Sequence, residues 1–171
     1  MFSSSPDKPD AQGLRIGIAV SRYHHEVTDS MRDAAIEAFV RSGGVKEHLT
    51  VTPTLGSFDL TAVCQAMATA SGDDDEPAFD AIVALGCIIA GETEHNEYIG
   101  HAVAQGLTAI TVKTGVPIAF GVLTCENLKQ AWLRSMDAPA KGGLNKGAEA
   151  MLAAIQTANA VRTIHKAGIA R

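Results

Sequence analysis

Four short apolar runs, each followed by a stretch of helical periodicity, set the tightest limit on how this chain can fold. LRIGIAV at 14–20, LTVTPT at 49–54, DAIVALG at 80–86 and PIAFGVLT at 117–124 read as strands. Thr28 is placed to cap a first helix. Met31, Ala35, Ile36, Phe39 and Val40 follow at helical spacing, and Gly43-Gly44 supplies a stop. The spacing of Leu60, Val63, Cys64 and Met67 predicts a helix within 56–70, and Ile99, Val103, Leu107 and Ile110 predict one over 96–112. Two more are expected over 126–136 and 148–165, the last with Met151, Leu152, Ile155 and Ala158 along its apolar stripe. Strands without polar alternation are buried on both faces, which is the mark of a parallel sheet covered by helices. The expected fold is a three-layer α/β/α sandwich around a four-stranded parallel sheet, flavodoxin-like in class. Strand order is not readable from this pattern.

Composition agrees with such a fold. Of 171 residues, 46% are hydrophobic and 19% charged, whereas aromatics reach only 5%, so the core must be built of Ala, Val, Ile and Leu. Residues 1–13 are polar and rich in Ser, Pro and Asp, and are expected to form a flexible arm; 14–171 are expected to form a single domain. The net charge of −5, with no Lys or Arg run, excludes a nucleic-acid footprint. The acidic block Asp73-Asp74-Asp75-Glu76 lacks the spacing of a calcium loop and reads as a solvated turn. Three cysteines, Cys64, Cys87 and Cys125, form no CxxC pair and suit a reducing cytoplasm. No segment has the apolar length to cross a membrane, and the N-terminus lacks the apolar centre of a signal peptide.

Ligands of open α/β sheets bind beyond the carboxyl ends of the strands. Those ends here are SRYHH at 21–25, GSFD at 56–59, GCIIAGETEH at 86–95 and Thr124-Cys125. Gly86 and Gly91 allow close backbone approach, and Thr93 is a candidate helix cap that would place His95 in the first helical turn. A neutral imidazole there can accept and donate protons near neutral pH, although a first-turn His is also an ordinary polar surface residue. Tyr23 can stack on a planar ligand. Read alone, however, Tyr23, Phe58 and Phe120 are more simply packing residues, and Asp59 a helix cap. Arg134, Lys141 and Lys146 surround a Gly-rich segment, KGGLNKG at 141–147, whose charge and free N–H groups can hold a phosphate. It does not match an NTPase loop, no GxGxxG follows the first strand, and the histidines show no metal-ligand spacing. Neither a metal nor a redox cofactor is expected.

In combination these loops resemble the lumazine synthase family, in order, from about Leu14 to His165. SRYHHEVT at 21–28 is similar to the family's first-strand loop, with Tyr23 in the place of the aromatic that stacks on the pyrimidine. GSFDL at 56–60 resembles the segment that holds the ribityl chain and ring, which implies binding roles for Ser57, Phe58 and Asp59. GCIIAGETEHNEY at 86–98 resembles the family signature. It implies substrate contacts from Cys87, Ile88 and Ile89, a phosphate site at Glu92 and Thr93, and proton transfer by His95. TGVPIAFGVLT at 114–124 places Phe120 against the pyrimidine across a subunit boundary. Arg134 matches a phosphate-binding arginine, and Asn145-Lys146-Gly147 the NKG that opens the last helix, with Lys146 at the substrate.

The resemblance implies condensation of 5-amino-6-ribitylaminouracil with 3,4-dihydroxy-2-butanone 4-phosphate to 6,7-dimethyl-8-ribityllumazine. Such chemistry asks for two oriented substrates, a proton shuttle and a cationic phosphate site. The sequence departs from the family pattern at three places: His24 stands for the usual Asn, Asp59 for Glu and Ala90 for a common Arg. The segment from Ser135 to Leu144 is longer than usual, which within the family implies a pentamer in preference to an icosahedral 60-mer. The alternatives are a non-catalytic flavin- or lumazine-binding or scaffold relative, and a flavodoxin-like electron carrier. The second is weakened because no Ser/Thr-rich phosphate loop follows the first strand.

Overall fold

The computed structural model describes residues 9–72, 76–136 and 145–168. The acidic residues 73–75, Lys141 and most of the long segment before Asn145 lie outside them, as do residues 1–8 of the expected arm. Within that arm, Ala11 is fully buried and its N–H donates to the Ser42 carbonyl at 2.8 Å.

The elements run β1 (Ile16–Ser21), α1 (His25–Arg41), a 3-10 turn (Lys46–His48), β2 (Leu49–Thr54), α2 (Leu60–Ala68), β3 (Ala81–Ile89), α3 (His95–Thr114), β4 (Ile118–Cys125), α4 (Leu128–Ser135) and α5 (Lys146–Lys166). All four strands are parallel, in the order β2-β1-β3-β4. The two central strands explain their own sequences. Ala81, Val83, Leu85 and Cys87 of β3 join Ile16, Ile18 and Val20 of β1 in a core beneath α1, α4 and α5. Ile82, Ala84 and Ile88 turn the other way, into a second core with Leu60, Cys64, Val103 and Leu107 from α2 and α3. Burial on both faces is what makes these runs apolar throughout. β2 lies at an edge, where its Pro53 leaves no interior ladder bond unmade. The three-layer flavodoxin-like sandwich is therefore present.

Three local expectations are corrected. The third strand does not stop at Gly86. It continues to Ile89, because Ile88 and Ile89 still pair with Thr124 and Cys125 of β4, and Ala90 N–H donates to the Cys125 carbonyl at 2.8 Å. Thr28 is not a cap, since α1 already begins at His25. The buried Thr28 hydroxyl instead donates to the Ser21 carbonyl at 2.6 Å, tying the helix to the end of β1. Thr93 is not a cap either; Glu94 holds that position before α3.

Because β1 leads left to β2 and the chain then returns over β1 to β3, strand order reverses between β1 and β3. A crevice must open at their carboxyl ends, where the loops leave in opposite directions.

Candidate active site

A cavity of about 380 Å³ occupies that crevice, within the usual size of small-molecule sites. One wall comes from Tyr23 and His24 after β1, and a second from Gly56 and Ser57 after β2. The floor is the end of β3 at Cys87, Ile88 and Ile89, and the far wall is Gly91, Thr93 and the first turns of α3. His95 opens that helix with its side chain exposed toward the space.

The walls are held by short-range bonds. Arg22 and Tyr23 N–H groups donate to the Thr54 and Leu55 carbonyls at 2.9 and 3.0 Å, carrying the β1–β2 ladder beyond the strands. Ser57 is buried, and its hydroxyl donates to the Cys87 carbonyl at 3.4 Å. That approach needs Gly86, because a Cβ there would lie 2.8 Å from the Ser57 oxygen. Gly56 N–H donates to the Asp59 carboxylate at 2.9 Å, so Asp59 braces the second loop and makes no capping bond to α2. Burial pushes the Cys87 thiol up to about 12, helped by the nearby Cys125, so the floor presents a neutral thiol.

Seven of the thirteen residues singled out in the sequence line this one cavity: Tyr23, Ser57, Cys87, Ile88, Ile89, Thr93 and His95. The other six do not. Phe58 and Asp59 face a cleft between α2 and α3. Phe120 and Lys146 share a cleft of about 290 Å³ between β4 and α5, where Lys146 also pairs with Glu149. Glu92 is exposed in the loop before α3. Arg134 ends α4 with its guanidinium donating to the Gln130 carbonyl at 2.9 Å, close enough to Cys125 at the tip of β4 for its charge to act on that thiol. The aromatics are not core residues: Tyr23, Phe58 and Phe120 are 66%, 61% and 48% exposed.

The model of the 6,7-dimethyl-8-ribityllumazine synthase family matches residues 13–162 of the sequence. The chain belongs to that family. The 6,7-dimethyl-8-ribityllumazine synthase of Edwardsiella ictaluri (strain 93-146) is 40% identical over 155 residues, which is 90% of this chain and 93% of that protein. The protein of the same name from Lawsonia intracellularis (strain PHE/MN1-00) is 36% identical, over 91% of this chain and 92% of its own.

For a member of the lumazine synthase family, the cavity adds residues that the sequence did not single out as binding groups: His24, Gly56, Gly91, Asn96 and Ile99. Ile99 was legible in principle. It lies four residues after His95, one helical turn along the same face, but its spacing also fits the core stripe to which it was assigned. Asn145 and Gly147 show why NKG opens the last helix. The Asn145 side chain accepts from Gly147 N–H at 2.8 Å, capping α5, and its amide also donates to the Ser135 carbonyl at the end of α4.

Proposed function

We propose that this protein is a 6,7-dimethyl-8-ribityllumazine synthase in riboflavin biosynthesis. It condenses 5-amino-6-ribitylaminouracil with 3,4-dihydroxy-2-butanone 4-phosphate. The pyrimidine amine attacks the ketone and water leaves to give an imine. Phosphate is then eliminated, and the ribitylamino nitrogen closes the second ring with loss of another water. The observation that carries the reading is the placing of His95, an exposed imidazole, on the same cavity as Tyr23 and the Ser57 loop. Tyr23 offers a face for the pyrimidine, the Ser57 loop offers polar groups to the ribityl chain, and His95 moves protons between the amine, the carbonyl and the departing groups. The phosphate end is assigned to Thr93 and the adjacent Glu92, with the positive charge from Arg134, which lies outside the cavity within one chain.

Phe58, Phe120 and Lys146 face away from this cavity within one chain and are exposed or half-buried. This supports an assembly in which Phe120 and Lys146 complete the cavity of a neighbouring copy. The preference for a homopentamer over a 60-mer rests separately on the length of the 135–144 segment. The catalytic role is favoured over a non-catalytic binding or scaffold relative, because binding a flat ring alone does not call for the His95 and Arg134 pair. Among the described residues no helix is long and apolar enough to cross a membrane, and the protein is assigned to the cytoplasm on its three unpaired thiols.

The test mixes both substrates with purified protein and follows lumazine absorbance against the uncatalysed reaction. Acceleration is expected, and its absence would reject the enzyme reading. Sedimentation of the same sample should show five copies, and a shell-sized particle would reject the pentamer.

A further inference from the structure

The loop after β1 is fixed in its backbone but not in the exposed side chain of Tyr23. Tyr23 N–H donates to the Leu55 carbonyl at 3.0 Å, and the His24 carbonyl accepts from Val27 and Thr28 N–H at 2.9 and 3.2 Å. The Tyr23 Cα therefore has one position. Its ring, 66% exposed, would still be free to change rotamer, and a ligand would have to order it on binding.

His24 alters that. Its backbone lies in the left-handed region, at φ 58 and ψ 45, the only non-glycine residue with positive φ among those described. Consecutive side chains on an extended strand point to opposite faces. The left-handed turn at 24 instead brings both rings to one side, where they meet edge to face with centroids 4.8 Å apart and planes at 78°. The His24 side chain makes no capping bond to α1, unlike Asn127 and Asn145, whose side chains cap α4 and α5. Its ring is thus not engaged by the helix it precedes, and both rings line the cavity that contains His95.

We propose that His24 is a positioning residue for the pyrimidine site, holding the Tyr23 ring in the orientation that receives the flat substrate. The inference rests on the synthase reading above and deepens it. His24 lowers the ordering cost of Tyr23 and thereby strengthens binding of the pyrimidine, while contributing equally to bound substrate and transition state.

The test compares wild type with His24→Asn and His24→Phe. Asn accepts the left-handed backbone, so the fold and its thermal midpoint are retained, but the ring contact is lost. KM for the aminopyrimidine should rise about 2- to 12-fold in His24→Asn, the range an aromatic pair supplies. The value of kcat and KM for the sugar phosphate should stay unchanged. His24→Phe restores a ring edge at the cost of some backbone strain, so its thermal midpoint should fall while KM moves back toward wild type. An unchanged KM in His24→Asn, an equal rise for both substrates, or no recovery in His24→Phe would each overturn the proposal. If wild type shows no turnover, the synthase reading alone fails. Calorimetric Kd values for the aminopyrimidine on the three proteins then decide the role of His24, and equal values overturn it.

Discussion

Gly147 lies so close to Met31 that a Cβ on the glycine would sit 1.9 Å from the Met31 carbonyl oxygen. The first turn of α5 thus rests directly on the backbone of α1, with no side chain between them. Replacing a helical glycine by alanine usually stabilises by about 1 kcal/mol. Here the sign reverses, because the atom in the way is backbone and cannot rotate aside. Gly147→Ala should destabilise the protein by about 1–3 kcal/mol or more, read as a fall in the denaturant midpoint. A midpoint equal to wild type would show that the two helices separate at little cost.

His95 is the sharper test of chemistry. If it transfers protons beside two substrates held by other groups, His95→Ala should lower kcat, near the lower end of the ~10²–10⁴ range for general acid–base catalysis. Both KM values should change little. Arg134→Ala should behave in the opposite way, raising KM for the sugar phosphate with a smaller effect on kcat. Steady-state kinetics with each substrate varied in turn separates the two. The reverse assignment of effects would mean that the roles of these residues are exchanged.

The thiols give a prediction in pH. Burial pushes Cys64 and Cys87 from the ordinary 9.0 up to about 12, and also raises Cys125, against the opposing charge of Arg134. At pH 8 all three should resist alkylation in the folded protein and react once it is denatured. The unfolded chain releases these protons from about pH 9, whereas the folded chain keeps them. Unfolding is therefore favoured progressively as pH rises from about 9 toward 12, and the thiols' stabilising contribution is complete below pH 9. Replacing Cys64 and Cys87 by alanine should flatten the alkaline limb of a stability-versus-pH curve. An unchanged limb would assign it to other groups.

The parallel layers of the fold were legible because burial on both faces leaves a mark in every residue of β1 and β3. Strand order left no such mark: an apolar run reports that it is covered, not which strand lies beside it. The extension of β3 through Cys87, Ile88 and Ile89 was hidden by Gly86, which reads as a loop residue but is required by the approach of Ser57. Thr28 and Thr93 have the chemistry of caps, yet the Thr28 hydroxyl is taken by a carbonyl seven residues earlier, a contact that local pattern cannot foresee. Residue type also cannot say whether Tyr23, Phe58 or Phe120 is covered. The left-handed turn that joins Tyr23 to His24 was equally invisible, since histidine does not announce it.

The strand order also governs when such a protein can exist during its own synthesis. β1 is made first but needs β2 on one side and β3 on the other, so it stays unpaired along one edge until residue 85 has emerged. The larger core then still lacks Met151, Ala154 and Ile155, which reach it only with α5, the last helix and the main neighbour of α1. A ribosome stalled before Lys146 would hold a chain whose first helix rests on the sheet but lacks the helix that covers its remaining apolar flank. Such nascent chains are candidates for chaperone capture, and interrupted translation should yield aggregates in place of shortened, working enzyme.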